Sequence, residues 1–353
     1  MFIKLLDNQE LYNTFILSCN KASFLQSYEW GKFQESLGRK IWRLGLYQND
    51  SNSAPLLGTM LIIKHSLLGG FSYLYCPRGP VFKDVPNQDM ITSLFLYLKN
   101  IVATDCIIFS KVDPSIFWTN ISVFEIRNSI NHVKSVQPLA ELLLKLNFTE
   151  EELLDKMHAK TRYNIRLAQK NNLDIRVSAG NKEDCDIFYS LIAETAGRHK
   201  IRAYSREYYA NIMNVFGKRA KIYTTFSDNN ALASHMVIYC GDTAVYMHGG
   251  SSLQARNLMA PYLLHWQAIK DAKADGYKYY NFGGIDSVGS NTLVELTKFK
   301  TRFVTTGHDL LEDTGIVVNY EKSFDIIYNK WWYSVYKVAK LLNRFIKSYR
   351  ALN

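Results

Sequence analysis

Two halves of this chain run through the same succession of elements. In the first half, helical patterns over 8–19 and 27–37 precede strand-like IWRLGLY (41–47), GTMLIIKH (58–65) and FSYLYC (71–76). A helix over 89–103 and a buried strand, CIIFSKV (106–112), follow, and that strand ends at Asp113-Pro114. In the second half, helices over 183–199 and 205–216 precede AKIYTTF (220–226), LASHMVIYC (232–240) and AVYMHGG (244–250). A helix over 260–276 and the strand YKYYNFGGID (277–286) close the series. Cys76-Pro77-Arg78-Gly79-Pro80 and His248-Gly249-Gly250-Ser251-Ser252 are about 172 residues apart, and the strands ending at Asp113 and Asp286 about 173. Order and offset, rather than identity, point to two copies of one fold. Two generic α/β domains with similar element counts are the alternative.

Composition is compatible with two such copies. At roughly 150 residues per domain, 353 residues make about two domains. Apolar residues make up 47% and charged residues 21%, globular proportions that exclude a disordered or collagen-like chain. Five cysteines (Cys19, Cys76, Cys106, Cys185, Cys240) lie far apart without a Cys-x-x-Cys pair. That pattern argues against a disulfide framework or a Cys-rich zinc site and for reduced thiols in a cytoplasm. The histidines show no metal-ligand spacing. Asp7 and Glu10 fall where a signal peptide needs an apolar core. No uncharged apolar run reaches about 18 residues, so no membrane span is expected.

Lys and Arg outnumber Asp and Glu by 42 to 32, a formal charge of +10. A basic balance calls for an anionic partner: nucleic acid, a membrane surface or a phosphorylated substrate. Two segments concentrate the charge. A helix is expected over 149–172, where Thr149 and Glu152 have the spacing of a capping box. Lys156, Lys160, Arg162, Arg166 and Lys170 follow with no intervening acid, and Arg162, Arg166 and Lys170 share one helix face. The segment reads either as a solvated face or as a surface turned toward an anion. The stretch 321–353 holds seven Lys/Arg against two acids. Its Trp331, Val335, Val338, Leu342, Phe345 and Tyr349 form one apolar helix stripe, with Lys330, Lys337 and Arg344 beside it. The stripe is expected to dock on the body, leaving a basic outer face for anionic lipid head groups.

Several catalytic signatures are missing. The chain has no GxxxxGK[ST] loop, no HExxH and no GxSxG elbow. What it has, in order, are SYEWGKFQESLG (27–38), YCPRGPVF (75–82), KTRYNIRLA (160–168), ETAGRHKI (194–201), GGSSLQARNLMAPYLLHWQAIKDAKADGYKYYNFGGID (249–286) and KFKTRFV (298–304). Over about residues 25–320 this combination resembles the FemAB-type aminoacyltransferases, the peptidoglycan bridge-forming enzymes. Any one of the motifs alone would be weak.

The resemblance implies an α/β (α+β) fold of two tandem GCN5-related N-acetyltransferase-like domains. Each is a mixed central sheet flanked by helices, and a basic helix ends the chain. The expected boundaries are 1–148 plus 315–353 for the first domain, completed by the returning C-terminal stretch, and 149–314 for the second. The strand-like LDIRV (173–177) leaves no room for the coiled-coil arm of some relatives. The implied activity moves an amino acid from aminoacyl-tRNA to the amine of a peptidoglycan stem peptide, carried by lipid II or a UDP-linked muropeptide. It implies no cofactor. A monomer in the cytoplasm, peripheral at the inner face of the membrane, is expected.

The residues allow that chemistry. An aminoacyl ester is already activated, so catalysis needs a positioned amine and a stabilised oxyanion. Lys300, beside Phe299, matches the family's lysine for this task. Arg198 matches its phosphate-binding arginine, and an Arg fork suits a diphosphate. The family's first-domain lysine falls on Gln34, which weighs against the UDP-linked acceptor; Lys32 is the nearest substitute, and Trp30 a candidate cleft residue. Asp113, at a strand's C-terminal end, is a candidate for orienting or deprotonating the incoming amine. Tyr246, Gly249, Gly250 and Ser251 are expected to line the second copy's cleft, and the cations at 156, 160, 162, 166 and 170 to contact tRNA phosphates. Two alternatives stay open: an acyl-CoA-dependent N-acyltransferase of the same fold, and a non-catalytic basic protein bound to membrane or RNA.

Overall fold

The computed structural model describes residues 1–19, 22–51, 53–104, 106–114, 130–254, 256–286, 294–305, 314–320 and 322–340. The chain forms two units. One comprises Met1–Phe15, Gly38–Gln137 and Glu321–Asn353; the other comprises Ile16–Leu37 and Pro138–Tyr320.

The first unit is built on eight strands. They are β1 (Phe2–Leu5), β2 (Ile41–Tyr47), β3 (Leu56–Ser66), β4 (Ser72–Cys76), β5 (Val81–Phe82), β6 (Ile107–Val112), β7 (Ile130–His132) and the late strand β15 (Phe324–Ile327). Their order is β1-β2-β3-β4-β6-β15-β7, with β5 paired to β3. Helix α1 (Gln9–Ser18) carries the chain from this unit to the next, whose first helix is α2 (Tyr28–Ser36). A parallel pair cannot be joined by a hairpin. Accordingly β4 and β6 run parallel, and α3 (Gln88–Thr104) is the crossover between them. β6 is buried along its whole length, and its two polar residues are paired there, Ser110 with the Tyr328 hydroxyl and Lys111 with Asp325. Ile91, Leu94, Phe95 and Leu98 of α3 close the core over Leu44, Met60, Ile62 and Leu74.

The second unit has seven strands in the order β14-β8-β13-β12-β11-β10-β9. These are β8 (Ala140–Lys145), β9 (Asp174–Ser178), β10 (Ala220–Ser227), β11 (Asn230–Cys240), β12 (Thr243–Ser251), β13 (Tyr279–Ile285) and β14 (Gly315–Asn319). Its helices are α4 (Glu150–Asp155), α5 (Ala159–Lys170), α6 (Lys182–Arg198), α7 (Arg206–Phe216), α8 (Ala260–Ala274) and α9 (Val294–Thr301). The repeat is visible in the topology. β12 and β13 are parallel and α8 is their crossover, as α3 is for β4 and β6. Beyond β13 the sheet continues antiparallel through β8 and β14, as β6 continues through β15 and β7.

Three local expectations change. The boundary expected at 148 lies past a strand of the second sheet: β8 pairs with β13 on one side and β14 on the other. A buried strand must satisfy its backbone on both edges, so the second unit takes Pro138 onward and runs to Tyr320, and residues 16–37 cluster with it. The helix expected over 149–172 is two helices. The Thr149–Glu152 capping box starts α4, Lys156 ends it, and the His158 side chain caps α5. Last, the helix over 330–340 turns its expected docking stripe outward: Trp331 is 65% exposed, and Val335 and Val338 are exposed too. Its docked face is Trp332, Tyr333 and Tyr336, packed against Phe71 and Phe109. Leu342, Arg344, Phe345 and Tyr349 lie outside the described residues. Among the described residues no helix is long and apolar enough to cross a membrane.

Candidate active site

The site of the second unit is built around a bulge. The β13–β8 register shifts between Asn281 and Gly284, and Gly283 sits at φ +75°, a conformation open to glycine. Asn281 holds the bulge: its Oδ1 accepts the Gly283 N–H at 2.7 Å, while its Nδ2 donates to Glu141 Oε2 at 2.8 Å. The Gly284 carbonyl thereby meets α9, where Lys300 Nζ donates to it at 2.8 Å.

Lys300 is 5% exposed. Burial pushes its ammonium down to about 8, and the Glu141 carboxylate opposes that fall. Its surroundings are aromatic. Nζ lies 5.9 Å from the centre of the Tyr246 ring. Tyr246 packs on His265 and His235, and Phe299 packs on His265 and Tyr262. Both histidines are wholly buried, and burial drives His235 down to about 3 and His265 well below its ordinary range. His265 Nδ1 is 2.9 Å from Tyr280 Oη. At neutral pH the imidazoles are uncharged and Lys300 brings the positive charge to this cage.

The expected second-cleft residues divide by role. Tyr246 belongs to the Lys300 cage. Gly249 and Gly250 are close-approach positions: a Cβ on Gly250 would meet the Leu191 backbone at 2.4 Å, and one on Gly249 would meet Tyr246 Oη at 2.5 Å. Arg198 ends α6 and grips the end of β12, donating to Ser251 O at 3.1 Å and to Thr195 Oγ1 at 3.3 Å. Thr195 Oγ1 accepts the Ser251 N–H at 2.9 Å, and Glu194 Oε1 accepts the Leu253 N–H at 2.8 Å. The Glu194-Thr195-Ala196-Gly197-Arg198 run thus braces the turn after β12, and the half-buried Arg198 side chain also pairs with Glu194 at 3.7 Å.

Other candidates sit elsewhere. Trp30 is buried in α2 against Phe24 and Phe33. Gln34, the position of the family lysine, is buried as well, whereas Lys32 is exposed and lies 5.4 Å from the Tyr28 ring centre. On α5, Lys160, Tyr163, Arg166 and Lys170 are exposed together. Arg162 turns back to the carbonyls of Asp155 and Met157 at the end of α4, and Lys156 stands over the Phe148 ring. Asp113, in the first unit, is 1% exposed. It accepts from Tyr75 Oη at 2.6 Å, from the Gln137 N–H at 3.1 Å and from the Ser323 hydroxyl. Among the described residues no three His, Cys, Asp or Glu side chains are grouped to hold a metal ion.

Sequence reasoning passed over His265, His235, Asn281 and Glu141 as site residues. His265 and Asn281 lie inside the quoted APYLLHW and YKYYNFGGID runs, so position in a motif was their available signal. Glu141, in the apolar run PLAELLLKL (138–146), carries a local oddity: a lone acid within a buried strand.

Comparison with known proteins gives matches along most of the chain. The FemAB family profile matches residues 8–135, 127–226 and 223–340. The chain belongs to the FemAB family. The family's enzymes are aminoacyltransferases, and this chain is an enzyme of that class. A relative, the lipid II:glycine glycyltransferase of Staphylococcus epidermidis, is 18% identical over 359 aligned residues, covering 79% of this chain and 83% of the relative. The crystal structure of FemX superimposes with a TM-score of 0.77 at 16% identity, over 95% of this chain and 99% of that one. A tandem GNAT protein of the clavulanic acid biosynthesis pathway follows with a TM-score of 0.53 at 9% identity, over 92% and 97%. The FemAB chain is therefore a tandem acetyltransferase-like fold, as its repeat indicated.

Proposed function

We propose that the protein transfers an amino acid from aminoacyl-tRNA to the side-chain amine of a peptidoglycan stem peptide carried by lipid II. Membership of the FemAB family and the glycyltransferase relative acting on lipid II support the cross-bridge chemistry. Buried Gln34 in place of the family lysine supports the lipid-linked acceptor over a UDP-linked one. The exposed cations of α5 suit the phosphates of tRNA. The protein works as a monomer in the cytoplasm, with 321–353 in peripheral contact with the anionic inner face of the membrane.

The observation that carries this reading is Lys300, held as a buried cation on the Gly284 carbonyl. An ammonium has three donors, and Gly284 takes one. The neutral amine attacks the ester carbonyl carbon, and the carbonyl electron pair moves to its oxygen. Lys300 faces that growing charge in surroundings where it counts for more than in water. Collapse forms the amide and breaks the bond to the ribose oxygen, which leaves with the proton the amine gives up. Tyr246, its ring facing the ammonium, and Phe299, packed on His265, make the surroundings apolar and exclude water. Arg198 and Ser251 shape the neighbouring turn and offer part of a guanidinium to a phosphate. Within the first unit, Asp113 is a fixed acceptor, its carboxylate held by Tyr75, Gln137 and Ser323.

The test is a transfer assay with purified protein, detergent-solubilised lipid II and tRNA charged with a labelled amino acid. Label should pass to the acceptor, and Lys300→Met should lose it. Transfer driven by acyl-CoA with no response to charged tRNA would overturn the reading.

A further inference from the structure

The helix over 330–340 leaves two apolar features in the first unit. One is the stripe of Trp331, Val335 and Val338, all exposed. The other is a groove of about 800 Å³ between this helix and the turn that joins β3 to β4. Leu67, Phe71 and Tyr73 line one wall, and Trp332, Tyr336 and Ala339 the other. Val335 belongs to both, so stripe and groove are continuous. At about 100° per residue, Lys330 and Lys337 flank the stripe on the side away from Trp332 and Ala339. Lys340 also borders the groove. Asp325 does not offset these lysines outside, because it is buried on Lys111.

An exposed tryptophan with branched aliphatics beside lysines is the composition of a helix lying in a bilayer interface. The lysines select anionic head groups, and the aromatic-lined groove has the chemistry of a hydrocarbon site. His65, on its lining, is held neutral by burial, so it offers no charge to repel an acyl chain. We propose that this face of the first unit seats on an anionic phospholipid bilayer, with Trp331, Val335 and Val338 in the head-group boundary and the groove receiving one acyl chain. The proposal refines the membrane contact of the preceding reading and is testable without donor or acceptor.

Co-sedimentation of the full chain with phosphatidylglycerol vesicles and with phosphatidylcholine vesicles tests the seat. Binding should be strong to the first and weak to the second, and should fall roughly tenfold or more in Trp331→Glu/Val338→Glu. Both positions are outward, so the circular dichroism spectrum should stay unchanged. Fluorescence of cis-parinaric acid tests the groove: the wild type should enhance it and Ala339→Trp, which fills the groove, should not. Absence of wild-type binding to phosphatidylglycerol vesicles, or equal binding by the folded glutamate variant, overturns the seat. Equal probe binding by Ala339→Trp overturns the groove. Either failure leaves the transferase assay untouched, because that assay uses a detergent-solubilised acceptor.

Discussion

Lys300 Nζ and the Gly284 carbonyl oxygen are 2.8 Å apart, and the bulge that presents Gly284 is fixed by Asn281. The pairing holds an ammonium in a place that penalises it. Lys300→Met should therefore remove a burial cost while removing the catalytic cation. Turnover is expected to fall at least a hundredfold, roughly the effect of losing an oxyanion donor. Stability at neutral pH is expected to rise by about 1–3 kcal/mol. Because the folded ammonium titrates near 8 and an unfolded lysine near 10.5, the unfolded chain binds more protons between those values. Wild-type stability thus gains as pH rises through that window, and the gap to Lys300→Met narrows. Urea unfolding at pH 7 and pH 10, beside turnover, checks both halves.

The same titration sets an alkaline limit on activity. Protonated Lys300 is required, so kcat should decline as pH rises through about 8. Glu141 supports the charged form. Glu141→Gln keeps the amide-sized shape and drops the charge, so the alkaline limb should move to lower pH. A limb that stays in place in Glu141→Gln would show that another group sets it.

Gly250 tests the packing that carries the Arg198 latch. Any Cβ there meets the backbone of Leu191, which cannot swing aside as a flexible side chain can. Gly250→Ala should destabilise the protein by about 1–3 kcal/mol, the scale of overpacking a tight core. Ser252→Ala is the neighbouring control: its hydroxyl contact to Glu194 is exposed, so its melting temperature should stay close to that of the wild type.

These sites show which features were legible in the sequence. The repeat was legible because each unit spends a similar length of chain on a β–α–β crossover, and such units announce themselves by apolar runs around an amphipathic helix. The crossovers of α3 and α8 lie where the patterns placed them. β8 and β14 were not, because a strand recruited into a sheet from outside the repeat has no local signal for the sheet it joins. The stripe of the 330–340 helix misled for a physical reason. Spacing identifies an apolar face but not what covers it, and aromatic Tyr333 and Tyr336, with hydroxyls to satisfy, proved the better partners for Phe109. Lys300 was visible through its motif, whereas its dependence on Glu141 rests on β8 pairing with β13 across 140 residues of chain.

The closing strand of the first unit offers the last test. Lys111 of β6 and Asp325 of β15 form an ion pair at 2.5 Å with both side chains buried, and Tyr333 Oη donates to the second Asp325 oxygen at 2.7 Å. The pair ties the C-terminal return to the sheet. Removing one partner leaves a buried charge unpaired, which is more costly than removing both. Lys111→Met should lose about 3–5 kcal/mol. Lys111→Met/Asp325→Leu keeps the volume, leaves Tyr333 its bond from Asn131, and should fall within about 2 kcal/mol of the wild type. Urea unfolding of the two variants separates the outcomes: equal losses would mean that Asp325 is satisfied without Lys111 and that the ion pair does not hold the strand.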